Sequence, residues 1–112
     1  MQQDQQIVKI KVRIGSDPYR LIQSIQGLSP EDVDRYIEEQ ARKIAYNDAV
    51  KEINNQPHRG TIYDAKVRMR RVNSSAKERL PGRLRQLSKY RIKVHRMIEL
   101  GDGIVEIAGE RL

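Results

Sequence analysis

The sequence of 112 residues contains no cysteine, no tryptophan and no phenylalanine, and its five tyrosines are its only aromatic residues. Without cysteine, the chain can form neither a disulfide framework nor a zinc site with thiolate ligands. No apolar run approaches the roughly 20 residues that a membrane-spanning helix needs. The first six residues lack the basic start and apolar stretch of a signal peptide. We therefore expect a soluble protein with a thin aliphatic core. Partner subunits would complete the burial of its apolar surface.

Basic residues are concentrated in one part of the chain. Residues 1–65 hold 9 basic and 10 acidic side chains, residues 66–96 hold 12 basic and one acidic, and residues 97–112 hold one basic and four acidic. The net charge of +7 therefore comes from the middle segment. The positive charges of such a segment repel one another unless solvent screens them or an anionic partner binds them. Apolar residues recur through it, which predicts folded structure and not a disordered basic tail.

The first half of the chain predicts a strand followed by two helices. Residues 7–14 alternate β-branched residues with Lys and Arg, which is typical of a half-buried strand. Ser16 or Asp17 can cap a short helix with Pro18 in its first turn, and Gly27 ends it. A second start near Pro30 begins a long helix that runs to about residue 53. Its apolar stripe at helical spacing is Val33, Ile37, Ala41, Ile44, Ala45, Ala49 and Ile53.

Residues 61–72 allow two interpretations. Tyr63, Ala65, Val67 and Met69 alternate with charged residues, which favours a strand, although Ile62, Ala65, Met69 and Val72 also fit a helix. The preceding Pro-His-Arg-Gly turn and the β-branched content favour the strand. Residues 73–89 predict a long loop with short helical pieces, because Pro81-Gly82 interrupts a helical spacing of leucines.

The end of the chain predicts a β-hairpin. Residues 90–98 alternate again, and a slip in the alternation at 96–98 predicts a bulge. The Asp102-Gly103 pair is typical of a two-residue hairpin turn, and residues 104–108 form the returning strand.

These elements predict one α+β domain over residues 1–112, with a flexible N-terminus at 1–6. We expect a mainly antiparallel sheet of three to four strands, with one long and one short helix packed on one face. The other face would then carry eight cations: Lys9, Lys11, Arg13, Lys66, Arg68, Arg70, Arg91 and Lys93. Like charges on neighbouring strands repel, so this face favours an anionic partner.

No group of residues predicts catalysis, a metal site or a cofactor site. His58 and His95 are far apart in sequence, and no glycine-rich phosphate loop is present. We therefore expect a protein that is not an enzyme. The basic face allows three interpretations: contact with nucleic-acid phosphates, contact with an acidic protein patch, or a merely solvated surface. Tyr63 and Tyr90 would stack on bases only if exposed, and the strand register places them on the apolar face.

The order of elements resembles that of the small tail-completion and head–tail joining proteins of long-tailed bacteriophages. Members of that family begin with a strand and a short helix, as at 7–26, and continue with a long Ala-rich helix, as at 30–53. They end in a meander of strands, as at 90–108. Their turn into a basic strand is loosely matched by Pro57, His58, Arg59, Gly60 and Thr61.

This resemblance implies a structural virion protein, assembled in the host cytoplasm, that forms a ring of six or twelve copies around the DNA channel. Portal, adaptor or tail proteins would be its partners, with non-specific DNA contact and no membrane contact. Its assembly segments would include Pro57, His58, Arg59, Gly60, Arg83 and Arg85. The alternative is a small basic nucleic-acid-binding protein, a regulator or packaging factor, that uses residues 66–96.

Overall fold

The computed structural model describes residues 7–55 and 62–112, with the backbone alone at 62–64. The elements, in order, are β1 (Ile7–Arg13), α1 (Asp17–Ile25), α2 (Pro30–Asn54), α3 (Ile62–Ser88), β2 (Ile92–Gly101) and β3 (Ile104–Arg111). The α+β class is confirmed. The chain divides into two compact units. The sheet unit comprises the chain up to Tyr36 together with Leu87–Leu112, and the helical unit comprises Ile37–Gln86.

The sheet unit contains a three-stranded antiparallel sheet in the order β1-β3-β2. In its register, Ile10 lies opposite Ile107 and Val12 opposite Val105. The predicted hairpin turn is confirmed. Asp102 (φ 55°) and Gly103 (φ 75°) both have the left-handed backbone that a two-residue turn of this type requires.

Strand β2 is irregular, as its sequence predicts, but not at the predicted place. The register shifts between Val94 and Arg96, and again between Glu99 and Gly101. The extra residues are therefore His95 and Leu100, on either side of the segment where the alternation slips. A bulge leaves one residue unpaired and turns later side chains to the other face.

One face of the sheet is covered by α1. The helix begins at Ser16, whose hydroxyl accepts a hydrogen bond from the Tyr19 backbone N–H at 3.4 Å. The core between helix and sheet includes a cluster in which Ile22 packs with Val12, Val105 and Ile107. Half-buried side chains pack around this core: Ile10, Tyr19, Tyr90 and Val94. The alternation in β1 and β3 thus places its apolar half against the helix.

Two residues fix β2 in place. The Gln26 side-chain amide donates to the Ile92 carbonyl oxygen at 2.7 Å and accepts from the Val94 N–H at 2.9 Å. It therefore pairs with the outer edge of β2 as a neighbouring strand would. Gly109 lies opposite Val94. A Cβ there would collide with the Lys93 carbonyl oxygen and lie 2.8 Å from Ile92 Cγ2, so only glycine fits.

The helical unit contains most of α2 and α3, packed antiparallel. Ion pairs join Asp48 to Arg83 and Glu52 to Arg79, so four residues forward on α2 correspond to four residues back on α3. Small side chains line the buried side of α2 at every fourth position: Ala41, Ala45 and Ala49. Farther along, Ala49 and Ile53 pack on Val72.

The strand predicted at 61–72 and the loop predicted at 73–89 are wrong, because residues 62–88 form the single helix α3. The alternative prediction of a helix is correct in its state, although Ala65 and Met69 of its apolar spacing are exposed. Val72 is buried against α2 while Met69 is 54% exposed, so helical packing with α2 overrides the alternation. Pro81 does not end α3. Its ring is exposed, so the carbonyl group that loses its helical N–H partner lies on the solvent side.

The predicted architecture is thus correct in class and sheet type, with three strands, but it has three helices instead of one long and one short. Among the described helices, none combines the length and apolar composition that crossing a bilayer requires.

Candidate nucleic-acid interface

The eight cations predicted to share one sheet face do not do so. Lys66, Arg68 and Arg70 lie on α3, in the helical unit. The others belong to the sheet unit: Lys9, Lys11, Arg13, Arg91 and Lys93. The single eight-cation face is therefore wrong, because the strand that was to carry its centre is a helix.

The sheet face that points away from α1 is mixed in charge. Lys9, Lys11 and Arg13 are exposed on β1, but β3 places Glu106 opposite Lys11. It also places Glu110 opposite Lys93. His95 Nε2 lies 3.4 Å from Glu110 Oε1. The central strand thus supplies carboxylates between the two outer strands, which lowers the positive potential of this face.

Arg91 does not belong to any exposed basic surface. Its guanidinium group is 28% exposed, and it lies 2.5 Å from the Asp34 carboxylate. Arg91 therefore ties the start of α2 to the residue before β2, within the sheet unit. Tyr90, its neighbour, packs against the sheet core as its register predicts.

On the α2-facing side of α3, the cations are paired. Arg83 Nε donates to Asp48 Oδ2 at 2.9 Å, and Arg83 also donates to Gln86 Oε1 at 2.6 Å. Arg79 pairs with Glu52 and donates to Ser75 Oγ at 3.1 Å. These guanidinium groups are held by α2, and Arg83, a predicted assembly residue, is one of them.

The outer face of α3 is different. We define it by five exposed cations: Lys66, Arg70, Arg71, Lys77 and Arg85. Among the residues whose side chains are described, none of the five has an ion pair. One exposed acidic residue, Glu78, lies among them. Arg68 lies at the side of this face and is half-buried, so it is not counted among the five.

The charge of the two long helices explains this division. Helix α2 holds seven acidic and four basic residues, whereas α3 holds eight basic and two acidic. Two carboxylates of α2 are aimed at α3, and other acidic residues of α2 pair locally, as Glu38 does with Arg42 at 2.6 Å. The α2 carboxylates that reach α3 therefore neutralise its inner side, and the outer side keeps its positive charge.

Sequence reasoning missed Arg71 and Lys77 as members of this face. Both would have been found by placing 62–88 on a helix. Lys77 follows Arg70 by seven residues and Arg71 follows Val67 by four, so both lie on the outer side. Of the predicted assembly residues, Pro57, His58, Arg59 and Gly60 lie outside the described residues, and Arg85 lies on the outer face of α3. The described ranges contain no group of three or more His, Cys, Asp or Glu residues placed to hold a metal ion.

Comparison with protein-family models gave no match, and comparison with curated proteins and with solved structures likewise gave no significant match. The candidate site therefore depends on its own geometry and charge.

Proposed function

We propose that this protein binds nucleic acid through the outer face of α3, as a non-enzymatic binding protein. The observation that carries the proposal is the set of five exposed cations without acidic partners among the described side chains. Lys and Arg in such an array contact phosphate groups and displace the counterions condensed around them.

The geometry of the helix pair supports this role. Because the inner cations are already held by Asp48 and Glu52, the helix does not need the outer five for its packing. An exposed like-charge cluster costs stability, and a polyanion relieves that cost when it binds. The sheet face is a weaker candidate, since Glu106 and Glu110 lie among its cations.

The test compares two triple variants of the full chain that remove equal charge. One is Lys66→Gln, Arg70→Gln and Lys77→Gln on α3, and the control is Lys9→Gln, Lys11→Gln and Arg13→Gln on β1. Fluorescence anisotropy with a labelled duplex, from about 50 to about 300 mM salt, gives affinity and salt dependence.

We expect the α3 variant to lose affinity by about tenfold or more and its log–log salt slope to fall by up to ~3. The β1 control should change both values much less. Equal losses in the two variants would contradict the assignment to α3. If the unchanged protein binds neither a duplex nor a single strand at low salt, nucleic-acid binding itself is contradicted.

A second candidate is a ring-forming virion protein that joins a phage head to its tail. The strand, short helix, long helix and closing hairpin of the resemblance occur in this order, but the helix α3 stands where the family has a basic strand. Among the described strands, β1 pairs on one side only, whereas Gln26 occupies part of the outer edge of β2. A neighbouring subunit could therefore extend the sheet at β1. Native mass spectrometry should then detect closed rings of six or twelve copies. A strictly monomeric protein without affinity for portal or tail proteins would reject this candidate.

A further inference from the structure

We infer that the nucleic acid bound by α3 is duplex DNA, with the outer face of the helix lying in the major groove. This inference rests on the proposed function, because it names the form of nucleic acid that the same face receives. It follows from how the exposed side chains of α3 are arranged around the helix.

A row of short, uncharged side chains runs along the middle of the outer face. Val67, Ser74 and Pro81 follow one another at intervals of seven residues, and such residues stay nearly aligned along a helix. Ser74 and Pro81 are exposed, and Val67 is half-buried. At ~1.5 Å per residue, this row is ~21 Å long.

Cations flank this row on both sides. Lys66, Arg70 and Lys77 form one flank, and Arg71 and Arg85 form the other, with the exposed Glu78 between these two. Residues three and four positions apart are neighbours on a helix surface, which places Arg70 and Arg71 on opposite sides of Val67. The arrangement is therefore cation, short side chain, cation across the helix.

This cross-section fits a groove between two phosphate backbones. The major groove of B-form DNA is ~12 Å wide and admits one α-helix. A row of short side chains lets the helix approach the groove floor, while long Lys and Arg side chains reach the phosphates on each side. A single strand has one backbone, so it cannot engage both flanks in this way.

The part of α3 that carries the five cations, which follows Tyr63, also disfavours single strands. Proteins that bind single strands stack bases on exposed aromatic side chains, and residues 65–88 contain no aromatic residue. Duplex RNA is disfavoured too, because the deep, narrow major groove of the A form does not admit side chains. B-form DNA is the partner that suits both the flanks and the row between them.

The first experiment measures binding of the full chain to three probes at matched salt: a DNA duplex of about 24 base pairs, one of its strands, and the RNA duplex of the same sequence. We expect the DNA duplex to bind about tenfold more tightly than either of the others. Equal or tighter binding of the single strand or the RNA duplex would overturn the inference but leave the proposed function in place. If none of the probes binds, both fail.

The second experiment places a bulky side chain on the central row without changing charge. Ser74→Tyr should weaken binding of duplex DNA at least about fivefold, while binding of the single strand stays the same or tightens through stacking. The matched control is Ser24→Tyr, at an exposed position of α1 in the sheet unit, which should change neither affinity. An unchanged duplex affinity in Ser74→Tyr would overturn the placement of α3 in the groove. Circular dichroism of both variants checks that the helices are intact.

Discussion

The far face of the sheet and the outer face of α3 have similar rows of Lys and Arg in the sequence, but their electrostatic surroundings differ. On the sheet, Glu106 lies opposite Lys11 and Glu110 opposite Lys93. On α3, the cations that have acidic partners are those that face α2, and the outer five have none among the described side chains. Whether a cation is free for a ligand thus depends on what a sequence-distant element places beside it.

The largest expected effect comes from breaking the register that places the glutamates among the sheet cations. Gly109→Ala puts a Cβ against the Lys93 carbonyl oxygen and 2.8 Å from Ile92 Cγ2. Overpacking of backbone on backbone should lower the free energy of unfolding by about 3 kcal/mol, measured by urea denaturation.

Gly82→Ala is the control for this change. Gly82 lies within α3, and a Cβ there meets only the tip of Arg85 at 3.9 Å. Alanine in a helix is favoured over glycine by about 0.5–1 kcal/mol, so this variant should be more stable than the unchanged protein. Destabilisation of equal size in both variants would mean that the close approach of the Lys93 backbone is not the reason why position 109 requires glycine.

A smaller effect is expected from unpairing an inner cation of α3. Asp48→Asn leaves Arg83 without its carboxylate, and the two side chains are 24% and 32% exposed. After allowance for solvent screening, we expect a loss of about 1 kcal/mol in the free energy of unfolding.

Glu38→Gln is the matched change in an exposed pair, since Glu38 and Arg42 are 50% and 65% exposed. Its cost should stay below about 0.5 kcal/mol. If the two variants lose the same stability, the inner pair has no special role in holding α3 to α2. The cations of the inner and outer sides would then not differ in the way described.

The smallest effect concerns the sheet face itself. Lys11 lies opposite Glu106, whereas Lys9 lies opposite Ala108. Lys11→Gln should therefore cost about 0.3 kcal/mol more stability than Lys9→Gln, and the difference should shrink in high salt. Identical stabilities at low salt would show that the carboxylates of β3 do not neutralise the cations of β1.

Residues 7–13 and 65–70 illustrate why the same alternation gave one correct prediction and one wrong one. In β1, every apolar residue of the alternation is β-branched. In the second segment the apolar residues are Ala65, Val67 and Met69, of which only Val67 is β-branched. Ala and Met favour helices, as do Lys and Arg. The residue types thus contained a signal that the alternation concealed.

By itself, the sequence determined the local elements whose signals agree: β1 from its β-branched alternation, α1 from the Ser16 cap, α2 from its long apolar stripe, and the hairpin turn from Asp102-Gly103. It also determined that positive charge is concentrated after residue 65. Only the tertiary structure decided the state of 62–88 and which cations are free. Both depend on α2, whose contacting residues mostly lie more than twenty positions before their partners in α3. Ala49 and Ile53 of α2 pack on α3, and Asp48 and Glu52 neutralise that side, so only the other side keeps its charge.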